Sequence, residues 1–422
     1  MKISAASTAI APMKELDLGC GRMEGTGWAV DSEPELNAVA LWFDSAPPLI
    51  LISVDALYPG SRLRSFVEKS APNVPAANIV LGASHTHAAP MLDATKPILG
   101  APDEEHMRHV ECRVRGLMQQ LLYTNNRTEA QIFAASGRAD HSVNRRFNKR
   151  IYWGWPLEFN ERRMGPNFWG SRDEQVTLLD FRDGEGRSRA MIWNYACHPV
   201  AFPKARTVSA HYPGVVRALL REAHDPDFPV VFFQGFSGDT RPMYTAEDRF
   251  PPGPRHLYRR LRFGPVWRPA TMERYSAWTS SLAQRVVSLA ERARLQPNVG
   301  EYDVQRVLDS RTNFVSPEGS PVSFQAVRLG RAFGLLAVSG EVVSSYSRMA
   351  RSKLGTRFTM CVGCTDETFG YLPTSRMVRE GGYESEGFLQ PFGLDGINPD
   401  VESNAKSAIL SVTRRHLTGP AL

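Results

Sequence analysis

Apolar residues in this chain fall into short, nearly continuous runs separated by turn-forming residues, the pattern of strands buried on both faces. Residues 38–43 and 49–54 form two such runs, joined by Asp44-Ser45-Ala46-Pro47-Pro48. Residues 175–181 and 188–196 flank Arg182-Asp183-Gly184-Glu185-Gly186, a hairpin signal carried by Asp-Gly. Further strands are expected at 229–233, 322–329, 332–338 and 358–362. Helical spacing appears at 103–122, with an acidic start that suits the positive end of a helix dipole. It appears again at 213–223, opened by proline, at 272–295, and at 342–353 behind Gly340-Glu341. Hairpins mixed with strand–helix units predict an α/β chain of the mixed α+β kind, with mixed β-sheets and flanking helices. With no repeat and no Ser/Gly-rich linker, residues 1–422 are expected to form one elaborated domain. Two stretches rich in Arg, Pro and aromatics, 148–172 and 244–270, break the pattern and are expected to be irregular lids or rims over a site.

Composition narrows the class. The chain has 422 residues, 42% hydrophobic and 22% charged, which is ordinary for a folded soluble protein. No apolar run reaches the roughly 18 residues of a membrane span, so no stable membrane insertion is expected. The first residues lack the apolar core of a secretory signal, and a cytoplasmic location is expected. Five cysteines do not make a disulfide framework; Cys361-x-x-Cys364 has no second pair and reads as inert buried thiols. The net charge is +6. Eight arginines lie among aromatics between 241 and 274, but no nucleic-acid motif accompanies them. That stretch reads as a solvated rim or an anionic-substrate clamp, with no nucleic-acid partner.

The chemistry sits at strand ends. Gly82-Ala83-Ser84-His85-Thr86-His87 follows the apolar run 78–81, and its two imidazoles fall on one side of an extended segment. A second apolar run, 190–196, ends in Cys197-His198-Pro199, where proline keeps His198 out of helical geometry. Two strand ends that each deliver histidine can converge on a metal, and catalytic zinc usually takes three protein ligands and leaves a position for water. No His-Glu-x-x-His is present, so a helical metalloprotease site is not expected. Glu341, at the end of the apolar run 335–338, is either a helix cap or an oxygen ligand. Asp55 and Asp239 are candidates for orienting the histidines, with turn or helix capping as the alternative.

Taken together, His85-Thr86-His87, Cys197-His198-Pro199, Gly340-Glu341 and Gly370-Tyr371-Leu372-Pro373-Thr374 resemble the neutral/alkaline (non-lysosomal) ceramidase family in order and approximate spacing. Val143-Asn144-Arg145, Tyr212-Pro213-Gly214 and Gly238-Asp239 add to the likeness, which spans about residues 36 to 390. Members are zinc amidohydrolases that cleave the N-acyl bond of ceramide. The resemblance implies Zn2+ held by His85, His198, Glu341 and Tyr371, with His87 and Arg145 beside it for proton transfer and carbonyl orientation. Tyr371 is alternatively a hydrogen-bond donor to the oxyanion. Asn144, Ser237 and His211 are expected at the substrate. Three departures shape the expectation. Ser237 lies immediately before Gly238-Asp239 rather than at the family's offset, which favours a zinc-activated water over a serine nucleophile. His211 stands where shorter relatives often carry Asp. The family's additional C-terminal β-sandwich domain does not fit in this length. The expected activity is hydrolysis of a small-molecule or lipid-like N-acyl substrate. A deacetylase, esterase or lactonase acting on a small or carbohydrate substrate, and a non-catalytic metal-containing binding protein, are the alternatives.

Overall fold

The computed structural model describes residues 1–20, 28–29, 34–123, 127–152, 158–249, 253–297 and 302–414. Three larger sheets, of five, five and four strands, frame it, and each carries one parallel pair among antiparallel neighbours. In the first, the strands run in the order Ile79–Ala83, Leu49–Val54, Asn37–Phe43, Lys2–Ala9, Thr128–Glu129, and the first two are parallel. In the second, the order is Val230–Gln234, Ser188–Tyr195, Gln175–Arg182, Gln131–Arg138, Arg294–Leu295, again with the first two parallel. The third runs Tyr302–Asp309, Val322–Leu329, Phe333–Val338, Phe358–Val362, with the last two parallel. Helices flank these sheets, as the mixed α+β expectation had it.

The three sheets share one apolar core. Leu41, Leu51 and Val80 of the first meet Leu179, Ile192 and Phe233 of the second and Leu335, Met360 and Val362 of the third, all buried. Polar bridges stitch the parallel pairs together where they meet. Ser53 Oγ donates to Phe232 O at 2.5 Å, and Asn194 Nδ2 donates to both Phe233 O (2.7 Å) and Cys361 O (3.0 Å). Gly363 N reaches Gln234 O at 3.0 Å, and Ala83 N reaches Cys364 O at 3.1 Å. Gly82 permits this closeness, because a Cβ there would stand 2.9 Å from the Phe233 ring. The carboxyl ends of all three parallel pairs therefore face one region, the usual place for a ligand in open α/β sheets.

Several sequence expectations are corrected by pairing. The stretch 148–172 is largely regular: Ser142–Tyr152 and Glu158–Asn167 form an antiparallel hairpin. The stretch 244–270 contains the helix Pro254–Phe263, bounded by Gly253 and Gly264 with φ of 87° and 78°. Residues 153–157 and 250–252 of these stretches lie outside the described residues. The helix expected at 342–353 starts later, as Ser347–Leu354, because Glu341–Val342 is captured as a parallel strand beside Tyr371–Leu372. The helix expected over 272–295 ends at Glu291, and Arg294–Leu295 becomes an edge strand on Gln131–Arg138.

Candidate metal centre

His85 follows the strand Ile79–Ala83 in a left-handed backbone conformation, φ 63°, which costs a side-chain-bearing residue about 1 kcal/mol. Its neighbours hold it there: Ser84 N donates to Val54 O at 2.9 Å, and the His85 Nδ1 lies 3.0 Å from Leu57 O. His198 leaves the strand Ser188–Tyr195, and its Nδ1 lies 3.3 Å from Ser237 O. A carbonyl accepts only, so each Nδ1 must carry the hydrogen, and in a neutral ring each Nε2 is then a lone pair. Those two Nε2 atoms face each other at 3.0 Å, and His87 Nε2 sits 3.2 Å from that of His198. Lone pairs brought this close repel unless a proton or a metal cation lies between them.

A carboxylate completes the cradle. Glu341 Oε2 lies 3.4 Å from His85 Nε2 and 3.8 Å from His198 Nε2, and among the described residues it makes no hydrogen bond. Its other oxygen accepts from the buried Tyr58 hydroxyl. Burial alone would raise the Glu341 pKa, but His85 and the donors around it hold it down at about 2. Burial would depress His85, yet Cys364 and Glu341 lift it well above the usual imidazole value. His198 is pushed far down by burial and by the charges of His85 and Arg145. Two facing imidazoles, a third beside them, and an ionised carboxylate with an oxygen that accepts no hydrogen bond make a donor set that suits a divalent cation.

Tyr371 pairs in register with Glu341 across the short parallel ladder. Its phenol is kept protonated, its pKa raised by burial and by the Glu341 carboxylate. Arg145 Nη2 donates to the Tyr371 hydroxyl at 3.1 Å. The Arg145 Nε donates to Glu384 Oε1 at 2.7 Å, while Glu384 Oε2 accepts from Arg146 Nη1 at 2.5 Å. His85, His87, His198, Glu341, Tyr371 and Arg145 are thus brought together from widely separated stretches.

The other candidates lie around this cluster in supporting positions. Asp239 accepts from Ser344 N (2.7 Å) and Asn144 Nδ2 (2.9 Å), and its carbonyl takes the Arg145 amide at 2.8 Å. Asn144 also donates to Ser171 O at 2.7 Å, so it braces the strand that carries Arg145. Ser237 Oγ accepts from Gln234 Nε2 at 2.5 Å, and its carbonyl is the one that turns His198. Asp55 accepts from Asn37 N at 2.8 Å and pairs with Arg217 at 2.7 Å. The imidazoles of His85 and His198 are oriented by the carbonyls of Leu57 and Ser237, not by Asp55 or Asp239. His211 is buried with Phe202, Tyr212 and Tyr275 around its ring, and its Nε2 lies 3.1 Å from Val200 O. Tyr58 and Glu384 belong to no spacing motif and carry no sequence signal for the site, and Cys364 reads from sequence as an inert thiol.

No protein-family model matches the sequence, and no curated protein matches it. Among solved structures, the neutral ceramidase from Pseudomonas aeruginosa superposes with a TM-score of 0.74 at 13% identity, covering 98% of this chain and 74% of that one. The fold is that of neutral ceramidase. A ceramidase solved in complex with C2 agrees, with a TM-score of 0.73, 12% identity and the same 98% and 74% coverage. The ceramidase fold thus extends over nearly the whole chain at an identity low enough that the likeness rests on architecture.

Proposed function

We propose that this protein is a metal-dependent hydrolase that cleaves the amide bond of a small-molecule or lipid-like N-acyl substrate, with Zn2+ as its metal. One observation carries the reading: the facing Nε2 atoms of His85 and His198, closed by a Glu341 oxygen that accepts no hydrogen bond among the described residues, with the Nε2 of His87 beside them. The ceramidase fold supports it, since the likeness carried by the motifs and the likeness of the architecture point to the same chemistry.

His85, His198 and Glu341 would hold the ion, with Tyr371 as a fourth ligand or as a donor beside it. When bound, such an ion makes water a nucleophile near neutral pH and polarises a carbonyl. The chain's own groups do the rest. Arg145, clamped by Glu384 and aimed at the Tyr371 hydroxyl, offers guanidinium hydrogens to an acyl oxygen as negative charge builds on it. Tyr371, kept as a neutral phenol, can donate to the same oxygen. His87 is less enclosed than the other two imidazoles. With His85, His198 and Glu341 as the ligands, His87 stays outside the ligand set and is the group placed to take a proton from water and return it to the departing nitrogen. Ser237 already accepts from Gln234 Nε2, and the reading assigns it no covalent role.

The test is a panel of N-acyl and O-acyl substrates assayed before and after chelation, with metal content measured in parallel. Chelator-sensitive hydrolysis of N-acyl compounds, restored by zinc, is expected. Hydrolysis untouched by chelation in demonstrably metal-free protein would overturn the reading.

A further inference from the structure

The helix Pro254–Phe263 is built inside out. It reads Pro-Arg-His-Leu-Tyr-Arg-Arg-Leu-Arg-Phe, has no acidic residue, and buries none of its side chains. At about 100° per residue, Leu257, Tyr258 and Leu261 fall within an arc of about 100°, with Arg255 and Arg262 together along its Tyr258 side. A surface helix normally turns such an arc inward. Here the charged side faces the protein: Arg259 pairs with Glu247, and Arg260 Nη1 donates to Arg249 O at 2.5 Å while lying over the Phe168 ring. The apolar side faces out, with Leu257 53% and Leu261 78% exposed. Trp169, 75% exposed under the Arg249 guanidinium, adds an indole to the same neighbourhood. Among the described residues neither Arg255 nor Arg262 meets a carboxylate.

We propose that this helix seats the protein on an anionic phospholipid surface. Outward Leu and Tyr edged by Arg that meets no carboxylate is the pattern of a helix that lies in the headgroup plane, with its apolar side among acyl chains and its cations on lipid phosphates. The charge argues against a second copy of this chain as occupant, because two such faces would bring arginine onto arginine. Placement gives the docking a use. Phe147 lies two residues beyond Arg145 on the strand Ser142–Tyr152, so both side chains emerge on one face, about 7 Å apart along the strand. A Cβ at Gly264, the residue that ends the helix, would stand 2.5 Å from the Phe147 ring. The docking helix and the candidate centre are therefore joined by one strand. A substrate drawn from the bilayer follows, and in that respect the inference rests on the hydrolase reading; vesicle binding needs no turnover, so the two can fail separately.

The experiment is flotation with large unilamellar vesicles of phosphatidylcholine, alone or with about one-third phosphatidylglycerol. The wild type is expected to float with the anionic vesicles and to bind neutral ones roughly tenfold or more weakly, because each basic residue near such a surface is worth about fivefold. The pair Leu257→Asp and Leu261→Asp should lose binding roughly tenfold or more, while Arg255→Glu with Arg262→Glu should abolish the preference for phosphatidylglycerol. All four positions are exposed, so melting curves should not move. Wild-type protein that stays unbound to both vesicle types overturns the proposal. So does an aspartate pair that binds as the wild type does, or one that turns a solution dimer into monomers. Tight binding to a single-stranded oligonucleotide that ignores the aspartate pair would assign the face to nucleic acid instead.

Discussion

Glu384 holds Arg145 through a 2.7 Å hydrogen bond from Nε to Oε1, and 239 residues separate them. The carboxylate is nearly dry, and its pKa, which burial would raise, is drawn down by Arg145 and Arg146. Two guanidinium groups thus converge on one buried anion, leaving the Arg145 Nη2 directed at Tyr371. Glu384→Ala would strand both cations. The expected outcome is a fall in kcat of about 100-fold or more with a smaller change in KM, because the lost element acts on charge that develops during reaction. A matched loss of folding stability sufficient to empty the native state would instead make Glu384 purely architectural, so kinetics and urea melts should be measured on the same preparations.

His85→Ala and His198→Ala each remove one imidazole from a three-imidazole cradle. Both variants are expected to lose bound zinc and hydrolysis together. Metal analysis of dialysed protein checks this, and full occupancy in both variants would refute the ligand assignment.

Tyr58 donates to the Glu341 oxygen that faces away from the histidines. Tyr58→Phe keeps the ring and removes only that donor. Zinc affinity is expected to drop by about 10-fold to 100-fold, the usual consequence of losing a partner behind a ligand. A competition titration against a chromogenic chelator reads it directly.

Asp239 is buried and its pKa rises from the ordinary 3.8 to about 6, chiefly through burial, with the Ser344 hydrogen bonds opposing. The folded state therefore binds its proton more tightly than the unfolded chain does. The resulting stabilisation is complete below about pH 4 and is lost as pH climbs through about 6, a span of about 3 kcal/mol. Asp239→Asn has no such proton. The difference in unfolding free energy between wild type and variant should accordingly shift in the variant's favour between pH 4 and pH 7, followed by urea denaturation at several pH values.

Asn194 donates to carbonyls of two different sheets from one buried amide. Asn194→Ala leaves a gap and removes both donors. A loss of about 2–4 kcal/mol is expected in urea unfolding, combining the missing hydrogen bonds with the cavity.

Legibility from sequence followed burial. Leu49–Val54, Val322–Leu329 and Phe358–Val362 match their predicted spans because both faces are buried and the apolar run is continuous. Lys2–Ala9 does not announce itself as a strand, since Ser, Thr and Ala along it carry little hydrophobic contrast. Tyr302–Asp309 alternates with charged residues and is only half-buried at a sheet edge. The histidines were legible because strand ends announce themselves. Tyr58 and Glu384 were not, since each acquires its role only when a distant stretch folds against it. Glu384 sits in the π-helical turn Tyr383–Gly387, which has no sequence signature of its own. Cys364, expected to be inert, lies close enough to His85 to influence its charge.

Because His85, His198 and Glu341 each hang from a different sheet, whatever cation they grip works as a rivet through three plates. Loosening any one plate should release the rivet before the plates themselves come apart, so damage far from the cradle would surface first as weakened metal retention in a protein that still looks folded.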